Sequence, residues 1–146
     1  MLWFGQTGLA KGDPTVGLYN VPKAGGPLRT IDDETASARL ALTPTTVIVL
    51  GGTDTIDNAL FAIARDGSFV RTLRVDDFIV SGAQVADGLA YYIAEGETGN
   101  ELWSIPISGG TPSLVRDELY FTDAFLIDGC TAVVATDGGD LVRVRR

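Results

Sequence analysis

Short stretches of alternating apolar and polar residues run along the whole chain, and many end at a glycine-containing turn. Three of them, residues 18–21, 60–63 and 102–105, begin with Leu and an aromatic residue and carry Val or Ile three positions after the Leu. Such alternation predicts β-strands rather than helices. Gly-Gly or Asp-Gly follows each stretch and supplies the positive φ that a tight hairpin needs.

The motif is an internal repeat. It recurs at Leu18, Leu60 and Leu102, 42 residues apart, and more weakly at Leu141, 39 residues later. A period of about 40–45 residues is typical of a four-stranded propeller blade. With the strands of one blade named a, b, c and d and the motif on strand c, the chain runs b-c-d, a-b-c-d, a-b-c-d, a-b-c. The sequence therefore predicts an all-β fold, a β-propeller of four-stranded antiparallel blades, with about three and a half blades in this chain.

The repeat also predicts the domain organisation. We expect residues 1–146 to form a single propeller half-domain with repeats at approximately 1–34, 35–77, 78–118 and 119–146. A β-sandwich would also suit short, evenly spaced strands, but the regular self-similarity favours the propeller. Residues 32–41 come nearest to a helical period and fit one helical turn.

The motif Leu-aromatic-x-Ile/Val-Pro-x-x-Gly-Gly of residues 18–26 and 102–110 resembles the repeats of TolB-like six-bladed propeller proteins. The third copy follows an Asp-Gly turn and a Tyr-rich strand (residues 87–92), as in those repeats. The resemblance covers nearly the whole chain and implies the architecture. Scaffolds, sensors, lyases, peptidase gates and surface binding proteins share it, so it implies no single function. No catalytic residue can be transferred, because the catalytic histidines of those families have no counterpart here.

The predicted ring is incomplete, because closed propellers have about four to eight blades. Uncovered blade faces and unpaired edge strands promote aggregation. Two interpretations stay open: the chain is a segment of a longer propeller, or copies of it associate to close a ring. Both are favoured over a stable open monomer.

Composition excludes several classes of function. The formal net charge of −8 argues against nucleic acid as a partner and against anionic lipid. No apolar run approaches the ~20 residues of a membrane-spanning helix, so we expect no membrane insertion. The chain contains no histidine, the usual general base and commonest metal ligand, which disfavours catalysis. Cys130 lies in an apolar run and is predicted to be a buried core residue.

The N-terminal residues 1–5 lack the features of a signal peptide. The TolB-like resemblance nevertheless fits a bacterial envelope or exported protein slightly better than a cytoplasmic one.

Most of the 19 acidic residues fall in the predicted b–c and d–a connections, which share one end of each blade. This acidic loop face is the candidate binding site, with the residues Asp54, Asp57, Glu95, Glu97, Asp137 and Asp140. It would attract a basic protein or peptide. Ca²⁺ is a candidate ligand at Asp54 and Asp57, because hard oxygen ligands suit it. Alternatively, these residues are ordinary turn formers that solvate the loops. No other cofactor is expected.

The sequence favours a non-catalytic binding or scaffold module with a protein or peptide partner at the acidic loop face. Two alternatives stay open. One is the propeller domain of an enzyme (a hydrolase, a lyase or a peptidase gate) with its catalytic residues elsewhere. The other is a structural unit that closes a propeller ring by homo-oligomerisation. The aromatic residues at strand positions are interpreted as packing between blades: Trp3, Tyr19, Phe61, Tyr91, Tyr92, Trp103 and Phe125.

Overall fold

The computed structural model describes residues 2–6, 17–33, 36–53, 56–75, 79–119, 122–136 and 141–145. These residues form strands β1 (Leu2–Gln6), β2 (Gly17–Val21), β3 (Arg29–Asp32), β4 (Ala36–Leu42), β5 (Thr46–Thr53), β6 (Ile56–Ala64), β7 (Val70–Val75), β8 (Ile79–Ala86), β9 (Leu89–Glu95), β10 (Asn100–Pro106), β11 (Ser113–Leu119), β12 (Thr122–Asp128), β13 (Thr131–Thr136) and β14 (Leu141–Arg145). Within that part of the chain, no helix has the length and hydropathy that crossing a membrane requires.

The strands form four antiparallel sheets in which each strand pairs with its neighbour in sequence. The sheets are β1-β2-β3, β4-β5-β6-β7, β8-β9-β10-β11 and β12-β13-β14, which we call sheets 1 to 4. This grouping is the predicted b-c-d, a-b-c-d, a-b-c-d, a-b-c. The all-β, four-stranded antiparallel organisation is therefore confirmed, whereas the blade number and the repeat boundaries stay predictions.

The chain divides into two compact units, Met1–Asp77 and Phe78–Arg146. In the first unit, β4 lies against β1 of the preceding sheet. Leu18 on β2 packs in a core with Val47 and Val49 of β5 and Phe61 and Ile63 of β6. The motif leucine of sheet 1 thus lies against the apolar face of sheet 2.

The second unit repeats this arrangement. Its β12 lies against β8, and Leu102 on β10 shares a core with Tyr91 of β9 and with residues of sheet 4. The contributions of sheet 4 include Phe125, Val134 and Val144. In both units the sheets pack because strand alternation directs one apolar set toward the neighbouring sheet.

The three c–d turns have the same hydrogen bond at the same position of the repeat. The glycine N–H donates to the carbonyl three residues earlier, at 2.9–3.0 Å, in the pairs Gly25–Pro22, Gly67–Ala64 and Gly109–Pro106. The φ angles of these glycines are +83°, +79° and +90°. Only glycine adopts such angles without steric cost, which explains why a glycine ends each motif.

A β-bulge also recurs in sheets 1 to 3. It lies where strand d pairs with the Leu and the aromatic residue of the motif on strand c. The register shifts between Leu18 and Tyr19, between Leu60 and Phe61, and between Leu102 and Trp103. The extra residue on strand d is Ile31, Leu73 or Val115, again 42 residues apart. Ile31 and Val115 pack against the same cores as the motif leucines. The bulge therefore turns one more aliphatic side chain toward the core.

Two interpretations of the sequence were wrong. Residues 36–41 of the predicted helical turn belong to strand β4, because they pair with β5 from Ala36 to Leu42. Cys130 is exposed rather than buried. It lies with Gly129 in the turn between β12 and β13, where the last ladder pair is Asp128 with Thr131.

Candidate binding site

The β9–β10 hairpin is the b–c connection that the structure describes most completely. The ladder ends at the pair of Glu95 with Asn100, and the N–H of Gly96 donates to the carbonyl of Gly99 at 2.8 Å. Gly99 has a φ of +149°, and a Cβ added there would lie 3.4 Å from the carbonyl oxygen of Leu119. The loop is short, and the hydrogen bond between Gly96 and Gly99 closes it.

An open depression of about 430 Å³ lies at this hairpin, and it is lined by Glu95, Gly96, Glu97 and Glu101. Glu95 and Glu97 are exposed, whereas Glu101 is half-buried. The predicted site residues Glu95 and Glu97 thus lie beside the same depression.

Gly96 provides the space that the side chain of Glu101 occupies. A Cβ at position 96 would lie 2.5 Å from Oε1 and 2.6 Å from Cδ of Glu101. On the other side, Nε1 of Trp103 donates a hydrogen bond of 2.9 Å to Oε2 of Glu101. Two residues therefore orient the side chain of Glu101. Gly96 leaves room for it because it has no side chain, and the indole N–H of Trp103 holds its carboxylate.

This arrangement suits attraction of cations more than proton transfer. Ionised carboxylates only accept hydrogen bonds, and several of them around one depression create a negative potential that attracts Lys and Arg side chains. Because Glu95 and Glu97 are exposed, each ion pair they form would contribute only about 0.2–1 kcal/mol. Affinity at such a site depends on several pairs formed together.

The other candidate residues lie partly or wholly outside the described residues. Asp54, Asp137 and Asp140 are outside them, and of Asp57 only the backbone is described, at the start of β6. The predicted calcium site at Asp54 and Asp57 therefore stays a prediction. Within the described ranges, no three His, Cys, Asp or Glu side chains converge as metal ligands would.

The sequence interpretation missed the role of Glu101 and Trp103. Both lie on β10 two positions apart, so the alternation of a strand places them on one face. This spacing is the feature of the sequence from which their contact could have been predicted. Trp103 was assigned to packing only, but it is half-buried and bonded to Glu101. The other described aromatic residues of the predicted set are buried: Tyr19, Phe61, Tyr91, Tyr92 and Phe125. The side chain of Trp3 lies outside the described residues.

The c–d turn of sheet 2 carries an acidic residue with a different role. The hydroxyl and backbone N–H of Ser68 hold the pKa of Asp66 below its ordinary value of 3.8. The N–H of Ser68 donates to Oδ1 of Asp66 at 2.9 Å. Arg29 of β3 reaches the same turn and donates to the carbonyl of Asp66 at 3.0 Å. Asp66 is thus part of the turn structure.

No protein-family model matches the sequence, and no curated protein matches it. Among solved structures, a chain in the crystal structure of a nidogen/laminin complex matches with a TM-score of 0.65 and 14% sequence identity. That chain is a β-propeller. The present chain has a β-propeller-like fold. The match covers 85% of the present chain and 50% of the other, so the present chain spans about half the length of the matched chain.

Proposed function

We propose that the chain is a non-catalytic β-propeller module that binds a protein or peptide partner through its acidic loop face. The observation that carries this proposal is the depression at the β9–β10 hairpin, lined by Glu95, Glu97 and Glu101. The partner would present Lys or Arg side chains in an exposed loop or tail. We also propose, from the motif of residues 18–26 and 102–110, that the repeats are of the TolB-like type.

The physical basis is a charged loop held by a rigid sheet. Glu95 is the last residue of β9, which is paired on both sides, with β8 and with β10. The backbone hydrogen bond between Gly96 and Gly99 limits the movement of Glu97 within the loop. Carboxylates positioned before the partner arrives lose little conformational entropy on binding, which favours affinity.

The remaining candidate residues have equivalent positions in the order of the strands along the chain. Asp54 follows β5, and Asp137 and Asp140 follow β13, so they occupy the same b–c connection in sheets 2 and 4 as Glu97 does in sheet 3. The fold neighbour supports a binding role in general terms, because its structure is that of a protein complex.

The test compares charge removal at the b–c connection of sheet 3 with charge removal at the a–b turns of sheets 3 and 4. The probe is a fluorescein-labelled peptide rich in Lys and Arg, titrated at low ionic strength. Glu95→Gln together with Glu97→Gln should weaken binding about fivefold, because two exposed ion pairs are lost. The control removes the same charge at a–b turns, with Asp87→Asn and Asp128→Asn, and should change Kd less than about twofold.

Asn suits this control because it tolerates the positive φ of 52° at Asp87. Equal weakening by the two double variants would show attraction to net charge alone and would overturn the proposed face. Failure of the probe to bind the unmodified protein would also overturn it.

A further inference from the structure

Strand β7 is an outer strand with exposed apolar side chains. In the described part of the chain it pairs with β6 on one side and with no strand on the other. Val70 is 50% and Val75 51% exposed, and Phe69, just before the strand, is 40% exposed. An exposed apolar edge of this kind is able to pair with an added strand.

The bulge at Leu73 separates the charged and apolar side chains of β7 onto two faces. Arg71 and Arg74 stand opposite Ala62 and Leu60, which are two positions apart on β6 and so share a face. Without the extra residue, alternation would place the two arginines on opposite faces.

The other face of β7 carries Val70 and Val75, with Thr72 between them opposite Phe61. Val70 stands opposite Ile63, and Val75 opposite Ala59, residues of the β6 face that packs in the core of the first unit. The edge therefore has the exposed Arg71 and the half-buried Arg74 on one side and two exposed valines on the other. The guanidinium of Arg71 lies 5.3 Å from the ring centroid of Phe69, which is a cation–π contact.

We propose that the outer edge of β7 binds an extended segment of a partner protein by strand addition, and that this segment alternates acidic and aliphatic residues. Its backbone would complete the hydrogen bonding of β7, its carboxylates would face Arg71 and Arg74, and its aliphatic side chains would lie beside Val70 and Val75. Backbone pairing supplies affinity in such complexes and the alternate side chains supply specificity.

Charge complementarity favours this partner over a second copy of the chain. If β7 paired with β7 of another copy around Thr72 and Leu73, Arg71 of one strand would stand opposite Arg74 of the other. Like charges directly opposite across strands are destabilising. The arginines therefore disfavour self-pairing while they attract an acidic strand.

The experiment uses a fluorescent peptide of alternating Glu and Val with a glycine at each end. The chain has a net charge of −8, so attraction to overall charge would not bring this peptide to it. We expect saturable binding that weakens as salt rises. The same peptide with N-methylated valine amides should lose at least about tenfold in affinity, because it cannot donate to a strand edge.

Two protein variants locate the binding edge. Arg71→Glu should weaken binding at least about fivefold, because attraction becomes repulsion. Arg116→Glu, the same charge change at an exposed position of the outer strand β11, should leave Kd within about twofold.

Equal weakening by both variants would overturn the proposal, as would undiminished binding of the N-methylated peptide. Absence of binding of the Glu-Val peptide to the unmodified protein would overturn it without any variant. Circular dichroism of each variant shows whether the sheets are retained.

Discussion

Leu102 and Leu141 occupy the same position of the repeat but have opposite surroundings. Each begins the motif on strand c and pairs with a residue of strand b: Leu102 with Ile93, and Leu141 with Ala135. Leu102 is completely buried, whereas Leu141 is 74% exposed. The difference arises because Leu102 faces sheet 4, while Leu141 projects from the face of sheet 4 opposite to Val142 and Val144. The repeat thus specifies the strand, and the neighbouring sheet determines what each residue contributes to stability.

The largest expected effect comes from shortening these two leucines. Leu102→Ala should lower the free energy of unfolding by about 3 kcal/mol, because it leaves a cavity in the core of the second unit. Leu141→Ala should change it by less than about 0.5 kcal/mol, as is usual for exposed positions. Urea denaturation of both variants measures the difference. Similar losses of stability for the two variants would show that Leu141 is covered in solution, and the two positions would then not differ.

A second pair of equivalent residues is Gly25 and Gly67, in the c–d turns of sheets 1 and 2. Both have a positive φ, which costs alanine about 1 kcal/mol or more. A Cβ at Gly25 meets nothing within 4 Å, whereas one at Gly67 lies 3.1 Å from the carbonyl oxygen of Ile31. We therefore expect Gly25→Ala to cost about 1 kcal/mol and Gly67→Ala about 2 kcal/mol. Thermal unfolding ranks them, and a reversed order would contradict the packing of β3 on this turn.

A third comparison concerns Trp103 and Phe61, which both follow the motif leucine. Phe61 is buried without a polar group, whereas Trp103 donates to Glu101. Trp103→Phe should cost about 1 kcal/mol in the unmodified protein, the usual contribution of such a hydrogen bond. The cost should fall by about half or more in a Glu101→Ala background, because the acceptor is already gone. A double-mutant cycle by urea denaturation provides the test, and unchanged cost would assign Trp103 to packing alone.

The smallest expected effect is the change in stability on replacing Ser68. Its counterparts in sheets 1 and 3 are Gly26 and Gly110. Ser68→Ala should raise the pKa of Asp66 toward 3.8, because the hydroxyl that lowers it most is removed. A carboxyl with a depressed pKa stabilises the fold above its ordinary pKa, and this stabilisation is lost as pH falls through the folded-state pKa. The variant should therefore show a weaker dependence of stability on acid pH. NMR titration of the Asp66 carboxyl measures the shift, and an unmoved pKa would refute the role of the hydroxyl.

The sequence predicted those features that depend on local chemistry. The turns at Asp87-Gly88 and after residues 22, 64 and 106 follow from the positive φ that only a few residue types accept, and all of them form. Strand ends are less local: β5 continues through Gly51, Gly52 and Thr53, because ladder hydrogen bonds use the backbone and do not require apolar side chains. The bulges at Ile31, Leu73 and Val115 have no local signature and were not predicted.

The candidate site was predicted in part for a similar reason. Loop position and charge identified Glu95 and Glu97, and both lie at the depression. The position of the Glu101 side chain depends on the absence of a side chain at Gly96 and on the indole of Trp103. The sequence alone does not show that these three residues meet. The exposure of Cys130 was missed because its neighbours Thr131 to Val134 are apolar or β-branched, which obscured the turn.

The strictly sequential strand order within each sheet also has a consequence for folding. Among the fourteen described strands, every ladder joins strands that are adjacent in the chain, so none of these hairpins must wait for a distant segment before it forms. Loop closure over few residues costs little entropy and is fast. Each sheet can therefore form as soon as its last strand has left the ribosome, and translation itself would set the order in which the four sheets fold.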